Sequence, residues 1–283
     1  MSTIVSRNGI GDSQRRMEDF RFLTGHGQYI DDMNLENQAY GMVLRSPEAH
    51  ADITSIDVSD ALALEGVLCV ITGADWKAAG YGPIPTKSAV RKFKDGSDLK
   101  EPPHHPIAID RVRYVGQPVA MVVAENQNIC RDALELIQVE YASLPAVSHQ
   151  SEAIKDGAPQ IWDIAPNNIC LDFELGNEQA QKEAFAKADH IISLDLVNNR
   201  VTAVPMEPRG ALASYDVATG KYTLWNASQN IHANRDTIAD SVLKIGKENL
   251  HHIAPDVGGG FGAKNGVYQE PILILHACKQ IGR

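Results

Sequence analysis

Short apolar runs separated by amphipathic and polar stretches set the expected order of elements along this chain. "AYGMVLRSP" (39–47) predicts a strand that stops at Pro47. "DVSDALALEGVLCVITG" predicts a helix and then a strand. Asp57 or Ser59 caps the helix start, and Gly66 suits the left-handed residue past its end. "VLCVIT" is then a buried strand. Gly, Pro, Lys and Ser dominate residues 76–106, which end in "EPPHHP" and predict a long surface loop. "RYVGQPVAMVVAE" returns to strand, "NQNICRDALELI" to helix and "QVEYASLPAV" to strand. The first half is therefore mixed α/β, with short helices between strands.

A polar stretch at 149–160 predicts a linker, and a second unit follows. "NEQAQKEAFAKA" is helix-like. Residues 190–226 alternate apolar and polar positions around a "DVATGK" turn, which predicts antiparallel strands. "IHANRDTIADSVLKIG" predicts a helix ending at Gly246, and "ENLHHIAPDV" a strand. "QEPILILHACKQIG" predicts a final helix with Lys279 in its last turn and Gly282 past its end. That helix is apolar on most sides of residues 271–281, so something must cover it, and much of that cover is expected to be missing from this chain. The expected division is an arm (1–19), a first domain (20–148), the linker (149–160) and a second unit (161–283). There is no internal repeat and no low-complexity segment.

Composition narrows the class. The 283 residues are 43% hydrophobic and 22% charged, as in a soluble globular protein. A formal net charge of −10 argues against nucleic acid or an anionic membrane as the main partner. No run reaches the length of a membrane span, and the N-terminus lacks the apolar core of a signal peptide. Cys69, Cys130, Cys170 and Cys278 are scattered, which fits reduced, mostly buried thiols in a cytoplasmic protein rather than a disulfide frame or a metal site.

The chemistry concentrates at the end of the chain, in "DVGGGFGAKNG" (256–266). Bare backbone admits close approach by a ligand, and successive N–H groups can form an anion nest. Lys264 adds a charge, so the stretch suits a phosphate, a pyrophosphate or an oxo-anion. A tight strand-to-helix turn with no ligand accounts for the same residues. Gly258, Gly260 and Ala263 satisfy G-x-G-x-x-G/A, but the second strand and acidic residue of a dinucleotide site do not follow. The P-loop is excluded by Ala263-Lys264-Asn265. His251 and His252, adjacent in a strand, point to opposite faces and share no metal. His104 and His105 lie in the proline-flanked loop without an acidic or Cys partner at ligand spacing. Glu207 and Arg209 fall on one face if extended, which predicts an ion pair. No metal-ligand set is predicted.

Several ordered motifs resemble one family. "RRMEDFRFLTGHGQYIDDM", "DALALEGVLCVITGAD", "YVGQPVAMVVAEN", "MEPRGALASYD", "LWNASQNIHANRDTIA" and "DVGGGFGAK" are similar to the N-terminal part of the large subunit of the molybdenum hydroxylases. These are the xanthine dehydrogenase, aldehyde oxidase and aerobic carbon monoxide dehydrogenase group. The resemblance implies an α+β chain: an α/β hammerhead domain, then the first portion of a molybdopterin-binding domain. It implies a molybdenum–molybdopterin cofactor, in its cytosine dinucleotide form in bacterial members, and oxidative hydroxylation of an aldehyde, an N-heterocycle or a CO-like substrate. Its implied partners are the rest of the large subunit, an iron–sulfur small subunit and an FAD medium subunit.

Residues carry over one at a time. Gln229 matches the glutamine that lies against the metal's oxo ligand, where its amide can donate a hydrogen bond. An ordinary capping or turn amide is the alternative for that side chain. Gly259, Gly260, Phe261 and Gly262 match the loop packed on the cofactor, and Phe261 helps to exclude water. For Glu207 and Arg209 the resemblance implies a place on the cofactor-pocket wall, as the alternative to an ion pair. Purine-oxidising members carry a glutamate directly after the loop lysine; here it is Asn265, which argues against xanthine. The family's catalytic glutamate lies beyond residue 283, so the chain is expected to be a fragment or split part, inactive alone. The alternative is a remnant without cofactor, motivated by the apolar helix 271–281.

Overall fold

The computed structural model describes residues 10, 15–86 and 88–283. Most of the expected arm, residues 1–9 and 11–14, lies outside the described residues.

Two antiparallel sheets build the first half. Its strands are β1 (Tyr40–Arg45), β2 (Ala51–Asp57), β3 (Val67–Thr72), β4 (Arg111–Val112), β5 (Pro118–Ala124) and β6 (Gln138–Ser143). One sheet has the order β1-β5-β3 and the other β4-β2-β6. β5 is central, and all seven of its residues are buried, which is why "PVAMVVA" is continuously apolar rather than alternating. The short helices α1 (Asp19–Leu23), α2 (Ser59–Ala63) and α3 (Gly73–Ala78) precede the amphipathic α4 (Gln127–Leu136). Asn126 caps α4, its side chain accepting from the N–H groups of Asn128 and Ile129 at 3.0 Å each. Cys130 and Ala133 bury that helix against the sheet. Asp57 accepts the Ser59 N–H at 2.9 Å, and Gly66 takes φ +88° past the end of α2, both as expected.

The second half adds α5 (Gln150–Ala153), α6 (Glu178–Ala186), β7 (Ala211–Asp216), β8 (Lys221–Asn226), α7 (Ile231–Asp236), β9 (Leu250–Ile253) and α8 (Gln269–Ile281). Its sheet has the order β7-β8-β9, with β7 antiparallel and β9 parallel to β8. Together the two halves make the α+β chain that the sequence implies.

Four expectations change. α3 occupies the start of the supposed loop, held by Asp75 accepting the Thr72 N–H at 2.7 Å. The expected strands across 190–226 form only at β7 and β8, and residues 189–205 carry no helix or strand. The helix after Asn230 ends at Lys244, in the left-handed region at φ 54°, rather than at Gly246. A Cβ on Gly246 would meet the Glu248 carboxylate, so that glycine serves a close approach instead. Finally, α8 is covered. It packs on β7 and β8 and on β3 and β5, so Ile272, Leu273 and Leu275 share one core with Ile71, Trp76 and Met121 of the first half. Gly282 ends α8 at φ +71°, as expected.

Candidate cofactor site

The parallel pair β8 and β9 runs in register to Trp225 opposite Ile253, so both strands deliver their following loops to the same end of the sheet. Gln229 follows β8, and the glycine stretch follows β9. This end of a parallel pair is where α/β sheets place ligands.

The two loops are joined through one side-chain oxygen. Gln229 Oε1 accepts the N–H groups of Gly262 at 3.0 Å and Lys264 at 3.2 Å, and the Gln229 N–H donates to the Lys264 carbonyl at 2.9 Å. Its Nε2 has no hydrogen-bond partner among the described residues, and the residue is exposed. A Cβ on Gly260 would stand 2.5 Å from Gln229 Cδ and Oε1, so glycine there is a consequence of the glutamine's position. Gly258 is constrained likewise, its Cβ falling 2.5 Å from Glu207 Cβ. Gly259 (φ +95°) and Gly262 (φ +87°) need the left-handed region, and nothing lies within 4 Å of a Cβ on Gly262. Phe261 also sits at positive φ, 49°, and the residue is 79% exposed. Among the described residues no acceptor meets the N–H groups of Gly259, Gly260 and Phe261. Three consecutive donors without a protein acceptor, beside an open flank, are free to meet water or an anionic or electron-rich ligand.

Lys264 does not supply the charge expected of it. Its side chain is fully buried, with Nζ donating to Glu207 Oε2 at 2.7 Å. The same carboxylate oxygen accepts the Gly258 N–H at 2.8 Å, while Oε1 accepts the Ile30 N–H at 3.4 Å. Glu207 therefore ties the two ends of the glycine loop to the N-terminal segment. The expected Glu207–Arg209 pair does not form: Arg209 lies over the Tyr268 ring at 4.1 Å, and the Tyr268 hydroxyl donates to the Ala263 carbonyl at 2.6 Å. Upstream, Asp256 accepts a bidentate pair from Arg21, one contact at 2.6 Å, and the Gln28 N–H at 2.7 Å. The Arg21 guanidinium holds the Asp256 carboxyl below its usual range. Asn234 of α7 donates to Ser228 Oγ and to the Asn265 and Gly266 carbonyls, closing the far side. Sequence reasoning missed Glu207–Lys264, Arg21–Asp256 and Asn234; the one available signal was a lysine set in a glycine loop with no phosphate motif.

The remaining candidates stay apart from this site. His251 is exposed and His252 buried, on opposite faces as expected. His252 Nδ1 pairs with the Ile231 carbonyl at 3.1 Å, and burial pushes its pKa down to about 4. His104 meets Gln269 at 3.0 Å. No group of three His, Cys, Asp or Glu suited to a metal occurs among the described residues. All four cysteines are free; Cys130 and Cys278 are buried, but Cys170 is exposed. A cavity of about 1130 Å³ opens between β1 and the β7–α8 face, behind the loop at Ala263 and Lys264 rather than at Gln229 or Phe261.

Two family models cover most of the chain. Residues 24–145 match the hammerhead domain of aldehyde oxidase and xanthine dehydrogenase, and residues 161–283 match the molybdopterin cofactor-binding domain. The chain belongs to the molybdenum hydroxylase family. It is 34% identical to the carbon monoxide dehydrogenase large chain of Afipia carboxidovorans, over 97% of this chain and 34% of that one. It is 35% identical to the nicotine 6-hydroxylase large subunit of Paenarthrobacter nicotinovorans, over 98% and 33%. Quinoline 2-oxidoreductase of Pseudomonas putida 86 superposes with a TM-score of 0.86 at 36% identity, covering 96% of this chain and 34% of that one. The chain thus spans about a third of the length of the relatives it matches. No helix among the described residues is long and apolar enough to cross a membrane.

Proposed function

We propose that these 283 residues form one wall of the molybdopterin pocket of a molybdenum hydroxylase and turn over only with the rest of the large subunit. The observation that carries this is the loop itself. Among the described residues the N–H groups of Gly259, Gly260 and Phe261 meet no acceptor, the flank of Gly262 is open, and Gln229 is anchored through Oε1 with Nε2 unspent. These donors fit an electron-rich cofactor edge, so Gln229 and residues 259–262 are the groups that would hold it. Bound there, molybdopterin supplies a molybdenum centre for oxidative hydroxylation.

The chain's own part is binding and positioning. The Glu207–Lys264 pair holds the loop's ends, so Gln229 Nε2 needs little reorganisation to donate a hydrogen bond. The Phe261 ring, outside the packed core, is placed to exclude water. A general base is not offered by the loop's flanks, because Glu207 and Asp256 are both committed to cations. That supports a chain that is inactive alone.

The finer points belong to the same reading: the cytosine dinucleotide form of the cofactor, iron–sulfur and FAD partner subunits, a cytoplasmic location, and division at 20–148 and 161–283 about the linker. The substrate class is an aldehyde, an N-heterocycle or a CO-like molecule; Asn265 disfavours purines. The remnant alternative loses its motive, because α8 is buried within the chain.

An assay of the purified chain with an aldehyde or an N-heterocycle and an electron acceptor tests the proposal. No turnover is expected alone, and turnover is expected once the rest of the large subunit and the electron-transfer subunits are supplied. Steady turnover by the isolated chain would refute it.

A further inference from the structure

The helix that follows Gln229 changes its coil part-way along. Ile231–Asp236 is α-helical, and Thr237–Leu243 continues it as a π-helix, closed by i→i−5 rather than i→i−4 bonds. The burial pattern holds one residue too many for a regular helix. Asn234, Ile238, Ala239, Val242 and Leu243 are buried, at i, i+4, i+5, i+8 and i+9, while Ser241 at i+7 is exposed. An unbroken α-helix would bring i+7 back to the buried face. The coil widens where the Thr237 hydroxyl donates to the Ala233 carbonyl at 2.7 Å, a side-chain bond of the kind that bends helices. Such wide turns are rare and recur at functional sites.

Both ends of the wide turn are tied. On its N-terminal side Asn234 donates to Ser228 Oγ at 3.1 Å and to the Asn265 and Gly266 carbonyls at 3.2 and 3.3 Å, and Asn230, which opens the helix, adjoins Gln229. On its C-terminal side the tie comes from the first half of the chain. The Gly82 N–H donates to the Val242 carbonyl at 2.8 Å, and Lys244 Nζ donates to the Gly80 carbonyl at 2.8 Å. Gly82 comes so near that a Cβ there would stand 2.3 Å from the Ser241 carbonyl oxygen.

We propose that Gly82 and Lys244 are positioning residues for Gln229, acting through this π-turn. The proposal rests on the function given above, in which Gln229 meets the cofactor. With both ends tied, the extra residue is taken up between them. Released at Val242 and Lys244, the helix relaxes toward the α coil, and its first turn rotates by about 100°, one residue's worth. Asn234 then leaves the Asn265 and Gly266 carbonyls, and Gln229 is drawn off the N–H groups of Gly262 and Lys264. Asp240 is exposed within the wide turn, and deleting it restores the i, i+4, i+7, i+8 spacing of a regular helix, which needs no clamp.

The test reads amide exchange in the full 283-residue chain at Gly262 and Lys264, whose N–H groups end on Gln229 Oε1. Gly82→Ala is expected to speed exchange at both by about tenfold or more, and Lys244→Met by about threefold. Gly96→Ala, at a left-handed glycine (φ +88°) with nothing within 4 Å, should leave both amides within about twofold of the parent. Deleting Asp240 from either clamp variant should restore slow exchange, a rescue that lost packing alone would not show. Should Gly82→Ala not fold, Lys244→Met with and without the deletion carries the same comparison. Unchanged exchange in the clamp variants, equal acceleration in Gly96→Ala, or no rescue by the deletion would overturn the proposal. Neither molybdenum nor turnover is read, so a chain that never takes up cofactor would count against the proposed function and not against the clamp.

Discussion

Lys264 Nζ lies 2.7 Å from Glu207 Oε2, with the lysine side chain wholly withdrawn from solvent and the glutamate nearly so. A charge buried to that degree is tolerable only with its partner in place. Removing one partner leaves the other uncompensated, at a cost of about 3–5 kcal/mol. Lys264→Met is therefore expected to lower the stability of the chain by about that amount, and Glu207→Gln by somewhat less because its amide retains an acceptor. The double variant Lys264→Met/Glu207→Leu should recover a large part of the loss. Denaturant unfolding of the three variants checks this; additive losses would show that the two side chains act independently.

Two glycines of the loop are expected to respond differently to alanine. At Gly260 the new Cβ would stand 2.5 Å from Gln229, so Gly260→Ala displaces that side chain and breaks its bonds to Gly262 and Lys264. At Gly262 nothing lies within 4 Å, and only the positive φ resists, costing about 1–2 kcal/mol. Amide spectra should show shifts at Gln229 and Lys264 for Gly260→Ala and mainly local changes for Gly262→Ala. Equal perturbation by the two would contradict the proposed contact.

Much of this site was legible in the sequence, but not its support. The glycine spacing and the glutamine are local patterns and could be read directly. Glu207 and Lys264 lie far apart in sequence, and nothing in "MEPRG" indicates which of its two charges turns inward. The alternation in 190–204 predicts a strand that does not form, because a strand also needs a neighbour, which no window of sequence can display. The cover of the apolar α8 is hidden for the converse reason: it comes from β7 and β8 and, far back in the first half, from β3 and β5.

Stability should fall in mild acid. Burial lowers the pKa of His252 to about 4, and also lowers that of His276, whose ring nitrogens have no hydrogen-bond partner among the described residues and whose ring packs edge-on against Trp76 and Tyr81. Below the unfolded value, near 6.5, the unfolded chain takes up protons that the folded one refuses. Each site then costs about 1.4 kcal/mol per pH unit, down to its own folded pKa. Urea unfolding between pH 7.5 and pH 4.5 should show the slope, and a His276→Phe variant should reduce it. A flat profile would contradict the assignment.

The N-terminal segment is expected to loosen without Arg21. Asp256 holds it through the guanidinium and through the Gln28 N–H, at a partly exposed position. Arg21→Ala should speed proteolysis and amide exchange within residues 18–32 while leaving global unfolding nearly unchanged. Unaltered exchange there would show that the strap does not depend on this pair.

If the bend around Phe261 faces a molybdenum-bearing pterin, both molybdenum and pterin are expected in the assembled complex of this chain with the rest of its large subunit. Metal and pterin analysis of that complex should find each in near-equal amount to the chain, with a marked loss in Gly260→Ala. A correctly assembled complex that carries neither, under conditions where a related hydroxylase is fully loaded, would contradict it.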